Sequence, residues 1–258
     1  MTAVRWGAAS ETGPVRSLNE DSLLARGSVF VVADGMGGHA AGEVASRLAV
    51  DEFAELADVP APVQPAAVLG ALARANAAIL DVAAQDPARR GMGTTVVGLA
   101  LVEDGGREYW LAFNVGDSRL YRYHEGRLEQ LSVDHTEVQE LVAAGLITAE
   151  RSRAHPRHHV LTRALGTDPA PAVDTWMFVP VPGERFLLCS DGLVGELTDD
   201  RIAAVLADTG DPAAAAERLV TTAVEAGGRD NVTVIVVQVL REDGHDGAAA
   251  GKRRPAPR

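Results

Sequence analysis

The sequence predicts a layered mixed α/β domain in which helices cover the outer faces of antiparallel β-sheets. Short segments rich in valine, leucine, isoleucine and aromatic residues recur between turn residues, as expected of strands. Brief joins such as 103–106 and 116–117 connect successive segments, and joins of this length make antiparallel hairpins. Helical segments fall in two pairs between strand-rich blocks, so each sheet would carry its own helical layer.

The predicted elements follow from composition and from the residues that bound them. Strands are expected at 4–9, 22–25, 28–33, 94–102, 108–115, 118–124, 173–179, 185–190 and 232–240. Apolar residues recur at helical spacing over 45–56 and 69–83, and Pro65 suits the first turn of the second of these helices. Thr198 and Asp211 are N-cap residues that predict two further helices.

Length and composition predict one domain over residues 1–240 and a flexible basic tail over 241–258. The chain has 258 residues, of which 47% are hydrophobic and 23% charged, as in ordinary globular proteins. Its net charge of −12 argues against nucleic acid as the main partner. Cys189 is the only cysteine, and its apolar surroundings predict a buried, unreactive thiol.

Two features of the sequence bear on location. No run of about 18 apolar residues is present, so we expect no membrane-spanning helix. The first six residues have no apolar stretch of signal-peptide length. We therefore expect a cytoplasmic protein.

Four aspartates occupy the ends of predicted strands. Asp34 and Asp191 each precede a glycine and close an apolar run, Asp117 follows another run, and Asp230 comes just before the last one. A carboxylate at the mouth of a buried strand is costly to leave unpaired. One Asp-Gly step alone would indicate only a turn. Together the four predict an acidic pocket for a hard cation with oxygen ligands.

Within this pocket, Asp34 would bridge two cations, and the Gly35 carbonyl would bind one of them. Asp191 and Asp230 would hold the other cation. Magnesium and manganese suit all-oxygen sites of this kind. Two such ions about 3.5–4 Å apart can lower the pKa of a shared water and clamp an in-line displacement, which suits phosphate-ester hydrolysis.

Three residues near the N-terminus complete the predicted site. Glu20 and Asp21 lie just before the strand at 22–25, and they would either bind metal directly or hold metal-bound waters. Arg16 lies four residues before Glu20, and its planar fork can bind two phosphate oxygens at once. We therefore assign binding of the substrate phosphate to Arg16.

Eight segments spread over most of residues 10–240 together form a recognisable pattern. They are 13–21, 31–39, 93–95, 114–119, 131–136, 161–166, 188–193 and 229–233. In composition and order they resemble the metal-dependent serine/threonine protein phosphatases of the protein phosphatase 2C family, especially its bacterial branch. The resemblance implies an α/β fold built as a four-layer α-β-β-α sandwich, with two central antiparallel sheets flanked by helices.

The resemblance also implies a site and a reaction. The two-metal centre would use Asp34, Gly35, Asp191 and Asp230, and a third metal would use Asp117 with Asp191. Two Mn²⁺ or Mg²⁺ ions, with that third site, would be the cofactors. Phosphoserine and phosphothreonine in proteins, including serine/threonine kinases, would be hydrolysed by direct attack of a metal-bridging hydroxide without a phosphoenzyme. We expect a monomer.

Met36 marks a departure from the animal-type members of the family. Those members carry a histidine, offered as a general acid, directly after the metal-binding Asp-Gly, whereas the histidine here is His39, three positions later. We do not transfer the acid role to His39, which we expect to cap the next helix. A metal-bound water could protonate the leaving group instead.

Histidines elsewhere in the chain have two interpretations each. His135, with Asp134, would either support the metal ligands or make a structural hydrogen bond at the start of a loop, and the sequence favours the second. The basic, histidine-rich stretch 151–159 lacks the ligands for a zinc site. A mobile flap whose positive charge attracts phosphorylated substrates is the favoured interpretation.

These inferences predict a manganese- or magnesium-dependent protein phosphatase that reverses serine/threonine kinase signalling. One alternative is a catalytically silent module of the same fold that binds phosphoproteins, and the intact metal-ligand positions argue against it. The other is a phosphatase dedicated to a single regulator. The stretch 241–258 would be a juxtamembrane linker if the chain were the catalytic part of a longer, membrane-tethered protein.

Overall fold

The strands and helices are given by a computed structural model, which describes residues 2–37, 41–152 and 155–240. The strands there are β1 (Val4–Glu11), β2 (Asp21–Arg26), β3 (Val29–Met36), β4 (Gly93–Thr94), β5 (Val96–Asp104), β6 (Arg107–Val115), β7 (Arg119–His124), β8 (Arg127–Gln130), β9 (Asp174–Phe178), β10 (Arg185–Cys189) and β11 (Val232–Val239). The helices are α1 (Ala41–Asp51), α2 (Ala54–Asp58), α3 (Pro65–Gln85), α4 (Glu137–Ala143), α5 (Ala149–Ser152), α6 (Asp191–Glu196), α7 (Asp199–Asp208) and α8 (Pro212–Ala226). The predicted tail at 241–258 and the predicted cap at His39 lie outside the described residues.

Two antiparallel sheets form the centre of the molecule. Sheet A has the order β1-β11-β10-β7-β8, and sheet B has the order β2-β3-β5-β6-β9, with β4 paired to the end of β3. The predicted hairpins at 103–106 and 116–117 join β5 to β6 and β6 to β7. The second join carries the chain from sheet B to sheet A, so it is not a hairpin within one sheet.

Apolar packing confirms the four-layer α-β-β-α arrangement. Phe30, Trp110 and Phe186 fill the space between the two sheets, with the Trp110 and Phe186 rings 5.7 Å apart. On the outer face of sheet B, Phe113 stacks on Phe53 at 5.3 Å, beneath α1 and α3. The outer face of sheet A packs against α7 and α8 through a separate cluster that includes Leu219. Burial of this size is the main favourable term in folding.

Most predicted elements are confirmed, and the missed ones differ in how clearly the sequence signals them. The predicted helix over 45–56 is wrong as one element, because the chain breaks at Glu52–Phe53 between α1 and α2. β8 is a polar edge strand that only the cross-strand ladder with β7 defines. α4 does have a sequence signal, because Thr136 accepts a hydrogen bond from Gln139 N, as an N-cap residue does.

α3 is the one helix in the described ranges that is long and apolar enough to resemble a membrane span, with a mean hydropathy of 1.5. Its Val68, Leu72 and Ile79 side chains belong to the core cluster on sheet B. Asn76 on the same helix is buried, donates to the Asp168 carbonyl and accepts from Gly166 N. The apolar face of α3 therefore serves as a layer of the sandwich.

We predict that Gly98→Ala destabilises the protein by about 1–3 kcal/mol, the usual effect of overpacking a core. Gly98 lies opposite Phe113 in the β5–β6 ladder, and an added Cβ would overlap the Phe113 ring. Gly195→Ala is the matched control, because an added Cβ there meets no heavy atom within 4 Å and α6 favours alanine. Urea denaturation measures both, and equal stability of the two variants would contradict the packing argument.

Candidate metal centre

The pairing of β2 with β3 places two carboxylates opposite each other at one rim of the sandwich. Asp21 is the first residue of β2 and lies across the ladder from Asp34. β3 continues three residues beyond the predicted end at residue 33, because β4 pairs with Gly35 and Met36. Asp34 is thus held within a strand: its N–H donates to Thr95 Oγ1 at 3.0 Å, and its carbonyl accepts from Thr95 N at 2.9 Å.

Gly35 is required by close packing at the start of α1. An added Cβ would overlap the Gly42 carbonyl, and Gly35 N donates to the Glu20 carbonyl at 3.1 Å. The Gly35 carbonyl oxygen and Glu20 Oε1 face the same point beside Gly42, where a Cβ on Gly42 would lie 2.7 Å and 2.6 Å from them. The structure therefore brings the Gly35 carbonyl oxygen and a Glu20 carboxylate oxygen together at the start of α1.

Asp191 begins α6 one residue after β10 ends, so this Asp-Gly step opens a helix. Its carboxyl group lies close enough to that of Asp34 for the two to interact. Ser190, just before it, donates to Asp21 Oδ2 at 2.8 Å and accepts from Thr233 N at 3.0 Å. Ser190 thus ties the first residue of β2 to sheet A, a role that the sequence analysis missed.

Asp230 lies at the same rim, just before β11, and it already has two partners. Its Oδ2 accepts from Arg16 Nη2 at 2.8 Å, and its Oδ1 accepts from Asn231 N at 2.8 Å. The Asn231 side chain donates to the carbonyls of Thr12 and Leu18, each at 3.0 Å, and accepts from Glu20 N at 2.9 Å. Asn231 therefore fixes the loop that carries Arg16, a function that sequence reasoning did not assign.

Asp117 lies on the turn between β6 and β7, close enough to Asp191 for the two charges to interact. Ser118 Oγ lies 2.7 Å from Thr95 Oγ1, so the turn is tied to the residue that also binds the Asp34 backbone. Arg119 makes a two-pronged ion pair with Asp134, in which Nε donates to Oδ1 at 2.9 Å and Nη2 donates to Oδ2 at 2.6 Å. Arg119 thus places a partly buried positive charge beside the acidic group.

Burial and mutual repulsion raise the pKa of four of these aspartates. Loss of hydration raises the pKa of Asp21 to about 7, with Asp191 and Asp230 adding to the shift. Loss of hydration is the largest cause that raises the pKa of Asp117 to about 8, and repulsion from Asp191 is the second largest. Loss of hydration, with repulsion from Asp21, raises the pKa of Asp34 well above its usual range. Loss of hydration, with repulsion from Asp230, raises the pKa of Asp191 as well. Carboxylates shifted in this way favour a bound cation.

The donor set fits hard divalent cations. Asp21 Oδ1 is buried and has no hydrogen-bond partner, which is costly unless a cation or a bound water satisfies it. The oxygens gathered at the rim are carboxylate and carbonyl oxygens, the ligands that Mg²⁺ and Mn²⁺ prefer. In the ranges that the structure describes, no three His, Cys, Asp or Glu side chains already converge on one ion position. Asp230 in particular keeps both oxygens engaged with Arg16 and Asn231.

Arg16 lies at the edge of this group with about half of its side chain exposed. Its hydrogen bond to Asp230 raises its pKa, and the charges of Glu20 and Asp34 act in the same direction. The predicted grouping of Arg16 with the acidic pocket is therefore present.

The remaining predictions concern residues around the pocket. Cys189 is fully buried, and burial raises its pKa to about 12, as expected of an unreactive thiol. His135 is buried and makes the structural hydrogen bonds that the sequence favoured. In the histidine-rich stretch, Arg157 pairs with Glu137, and the rings of His158 and His159 meet edge to face at 5.0 Å.

Sequence comparison identifies relatives among bacterial enzymes. A family model described as Protein phosphatase 2C matches residues 16–225. The serine/threonine protein phosphatase PstP of Mycobacterium tuberculosis is 40% identical over 242 residues, which cover 93% of this chain and 46% of PstP. The serine/threonine phosphatase stp of Listeria monocytogenes is 33% identical over 252 residues, covering 92% of this chain and 97% of stp. The chain thus spans about half the length of PstP.

Solved structures agree with this assignment. The crystal structure of Mycobacterium tuberculosis PstP matches with a TM-score of 0.85 at 37% identity, covering 93% of this chain and 100% of that chain. A structure of the PstP catalytic domain in complex with two manganese ions matches with a TM-score of 0.83, at the same identity and coverage. From its sequence, its sandwich fold and the acidic group at its rim, the chain belongs to the protein phosphatase 2C family.

Proposed function

We propose that this protein hydrolyses phosphoserine and phosphothreonine in other proteins at a centre of two Mn²⁺ or Mg²⁺ ions. The observation that carries the proposal is the meeting of five aspartates at one rim beside an exposed arginine. The aspartates are Asp21, Asp34, Asp117, Asp191 and Asp230. Membership of the protein phosphatase 2C family supports this function, as do the relatives named serine/threonine phosphatases.

In this proposal Asp34 bridges both ions, because its carboxyl group is the one that interacts with all four of the other aspartates. The Gly35 carbonyl joins one ion, and Asp191 and Asp230 hold the other. The PstP catalytic domain crystallised with two manganese ions supports that number. A third ion would use Asp117 and Asp191, since Asp191 is the largest charge influence on Asp117.

Glu20 and Asp21 are proposed to hold the waters that complete the ligand sets. Asp21 Oδ1 is buried without a partner, so a water bound between it and an ion would satisfy both. Glu20 Oε1 faces the same point as the Gly35 carbonyl, beside the ion that this carbonyl would bind. Glu20 and Asp21 would thus lie beside the two ions without binding them directly, whereas Asp34 would contact both ions.

The chemistry needs a nucleophile, a clamp on phosphate and a proton for the leaving group. Two divalent ions held here would neutralise charge and supply an activated water at neutral pH for direct attack on phosphorus. Arg16 binds the phosphate, because its bond to Asp230 uses one nitrogen of a fork whose side chain is about half exposed. Met36 has no proton to give, so we propose that the leaving group takes its proton from water.

The substrates are proposed to be phosphoproteins, including serine/threonine kinases that carry such phosphates themselves. We also propose a cytoplasmic location, where kinases that use ATP generate phosphoserine and phosphothreonine. The monomeric state expected from the sequence stays a prediction. A phosphatase that acts on a single regulatory protein is a special case of this proposal, with a narrower range of substrates.

We predict that Asp191→Asn abolishes Mn²⁺-dependent release of phosphate from a phosphothreonine peptide, because the ion shared with Asp34 and Asp230 loses a charged ligand. Asp104→Asn is the matched control, since Asp104 also precedes a glycine but lies exposed at the β5–β6 turn. Calorimetric Mn²⁺ titration should show weaker binding only for Asp191→Asn. Full activity of Asp191→Asn would overturn the site assignment.

We also predict that the metal-free protein becomes less stable as pH rises from about 4 to about 8. Burial raises the pKa values of Asp21 and Asp117 to about 7 and about 8 in the folded chain, against an ordinary value of 3.8 for aspartate. The folded state therefore binds more protons than the unfolded state within this window, and that stability is lost as pH rises through the folded pKa values.

Thermal unfolding at several pH values, with EDTA and with Mn²⁺, measures this dependence. Saturating Mn²⁺ should reverse the slope, because ion binding needs ionised carboxylates and releases protons. Asp117→Asn should flatten the slope of the metal-free protein and serves as the control. A metal-free stability that rises steadily over the same window would show that the acidic group is not under repulsion.

A further inference from the structure

His135 is a buried histidine that binds the backbone of the turn carrying Asp117. Its Nδ1 accepts a hydrogen bond from Gly116 N at 3.1 Å, and its backbone N–H donates to the Gly116 carbonyl at 2.9 Å. The side chain is 96% buried, so water does not compete for the imidazole. His135 therefore engages both polar groups of the residue that immediately precedes Asp117.

Gly116 has few other means of being held in place. Its φ of +108° is a conformation that side chains disfavour, and an added Cβ would lie 2.6 Å from Thr95. With no side chain at this position, the N–H and the carbonyl are the groups by which the turn can be fixed. Asn114 Nδ2 also donates to that carbonyl at 3.1 Å, whereas His135 Nδ1 is the acceptor for the N–H.

The second ring nitrogen of His135, Nε2, is fixed by the Asp174 carboxylate, which the Arg163 guanidinium holds in turn. His135 Nε2 lies 3.1 Å from Asp174 Oδ2, and Arg163 Nη1 donates to Asp174 Oδ1 at 2.9 Å. Burial opposes ionisation of Asp174, but its bonds to His135 and Arg163 outweigh this and lower its pKa. An ionised Asp174 accepts only, so Nε2 carries the hydrogen and Nδ1 keeps a free lone pair.

We propose that His135 is a positioning residue for Asp117. Its Nδ1 sets the orientation of the Gly116–Asp117 turn, and Asp174 keeps the imidazole in the tautomer that this requires. The inference rests on the proposed function, because it takes Asp117 as a ligand of the third ion. Asp34 lies on β3 and Asp230 just before β11, and the side-chain hydrogen bonds of His135 go to Gly116, Asp174 and Arg163. The ions that Asp34 and Asp230 would hold should therefore not depend on His135.

Two substitutions at residue 135 separate this role from general packing. Asparagine can place an oxygen near the position of Nδ1, so His135→Asn keeps an acceptor for Gly116 N. Glutamine reaches toward the position of Nε2, so His135→Gln keeps the contact with Asp174 and leaves the Gly116 N–H unpaired. A buried donor without a partner is costly, and the turn is expected to shift to satisfy it.

Calorimetric titration of the metal-free protein with Mn²⁺ tests the proposal without requiring turnover. We expect His135→Gln to weaken the weakest Mn²⁺ site about tenfold, the change expected for one unpaired buried donor. The tighter sites should be unchanged, and His135→Asn should lie within about twofold of the unaltered protein. The Mn²⁺ dependence of phosphopeptide hydrolysis should shift in the same order.

A double-mutant cycle with Asp117→Asn locates the effect. If His135 acts through Asp117, then His135→Gln should cause no further loss of Mn²⁺ binding once Asp117 is replaced. Should His135→Gln not fold, Asp174→Asn supplies the same comparison, because it removes the carboxylate that sets the tautomer. Equal weakening of all sites, equal effects of the two substitutions, or the absence of a third Mn²⁺ site would each overturn the proposal.

The proposed function can fail separately. If the unaltered protein binds three Mn²⁺ ions but releases no phosphate from phosphopeptides, the proposed phosphatase activity is wrong. The calorimetric comparison of the His135 variants still decides the role of His135 in that case. If it releases phosphate while His135→Gln binds every Mn²⁺ ion as before, the activity stands and His135 has no positioning role.

Discussion

Repulsion among the aspartates at one rim of the sandwich is the constraint to which the surrounding residues respond. Asp21 and Asp34 are held opposite each other by strand pairing, and Asp191 begins α6. Asp117 and Asp230 lie on short segments beside β6 and β11, so each aspartate is close to an element that limits its movement. The neighbours supply donors and positive charge: Ser190 to Asp21, Arg16 to Asp230, and Arg119 beside Asp117. These contacts reduce the repulsion, but burial together with the repulsion that remains still raises the pKa values of Asp21 and Asp117.

The fold holds the acidic group by joining its two sheets at the rim. The β2–β3 register sets Asp21 against Asp34 in sheet B, while β10 and β11 bring Asp191 and Asp230 from sheet A. The aromatic core between the sheets sets their separation, and Ser190 and Asn231 add polar ties across it. A site made from both sheets can therefore be stiff before any ion binds, which reduces the cost of assembling the ligands.

Much of this site could be predicted because its signals are local. An apolar run that ends in an aspartate and a glycine shows in a few residues, and it identifies Asp34 and Asp191. Asn231 could not be assigned, because its partners Thr12 and Leu18 lie more than 200 residues away in the chain. β8 has too few apolar residues to show as a strand. The break between α1 and α2 lies at Glu52 and Phe53, and the Phe53 ring packs on Phe113, which is distant in the chain.

The central claim is that two divalent ions neutralise this acidic group, and anomalous diffraction from crystals grown with Mn²⁺ tests it most directly. The account predicts two strong manganese peaks, both contacting Asp34, one also contacting the Gly35 carbonyl and the other Asp191 and Asp230. Manganese bound elsewhere, with Arg16 still paired to Asp230 and the aspartates bare, would contradict it.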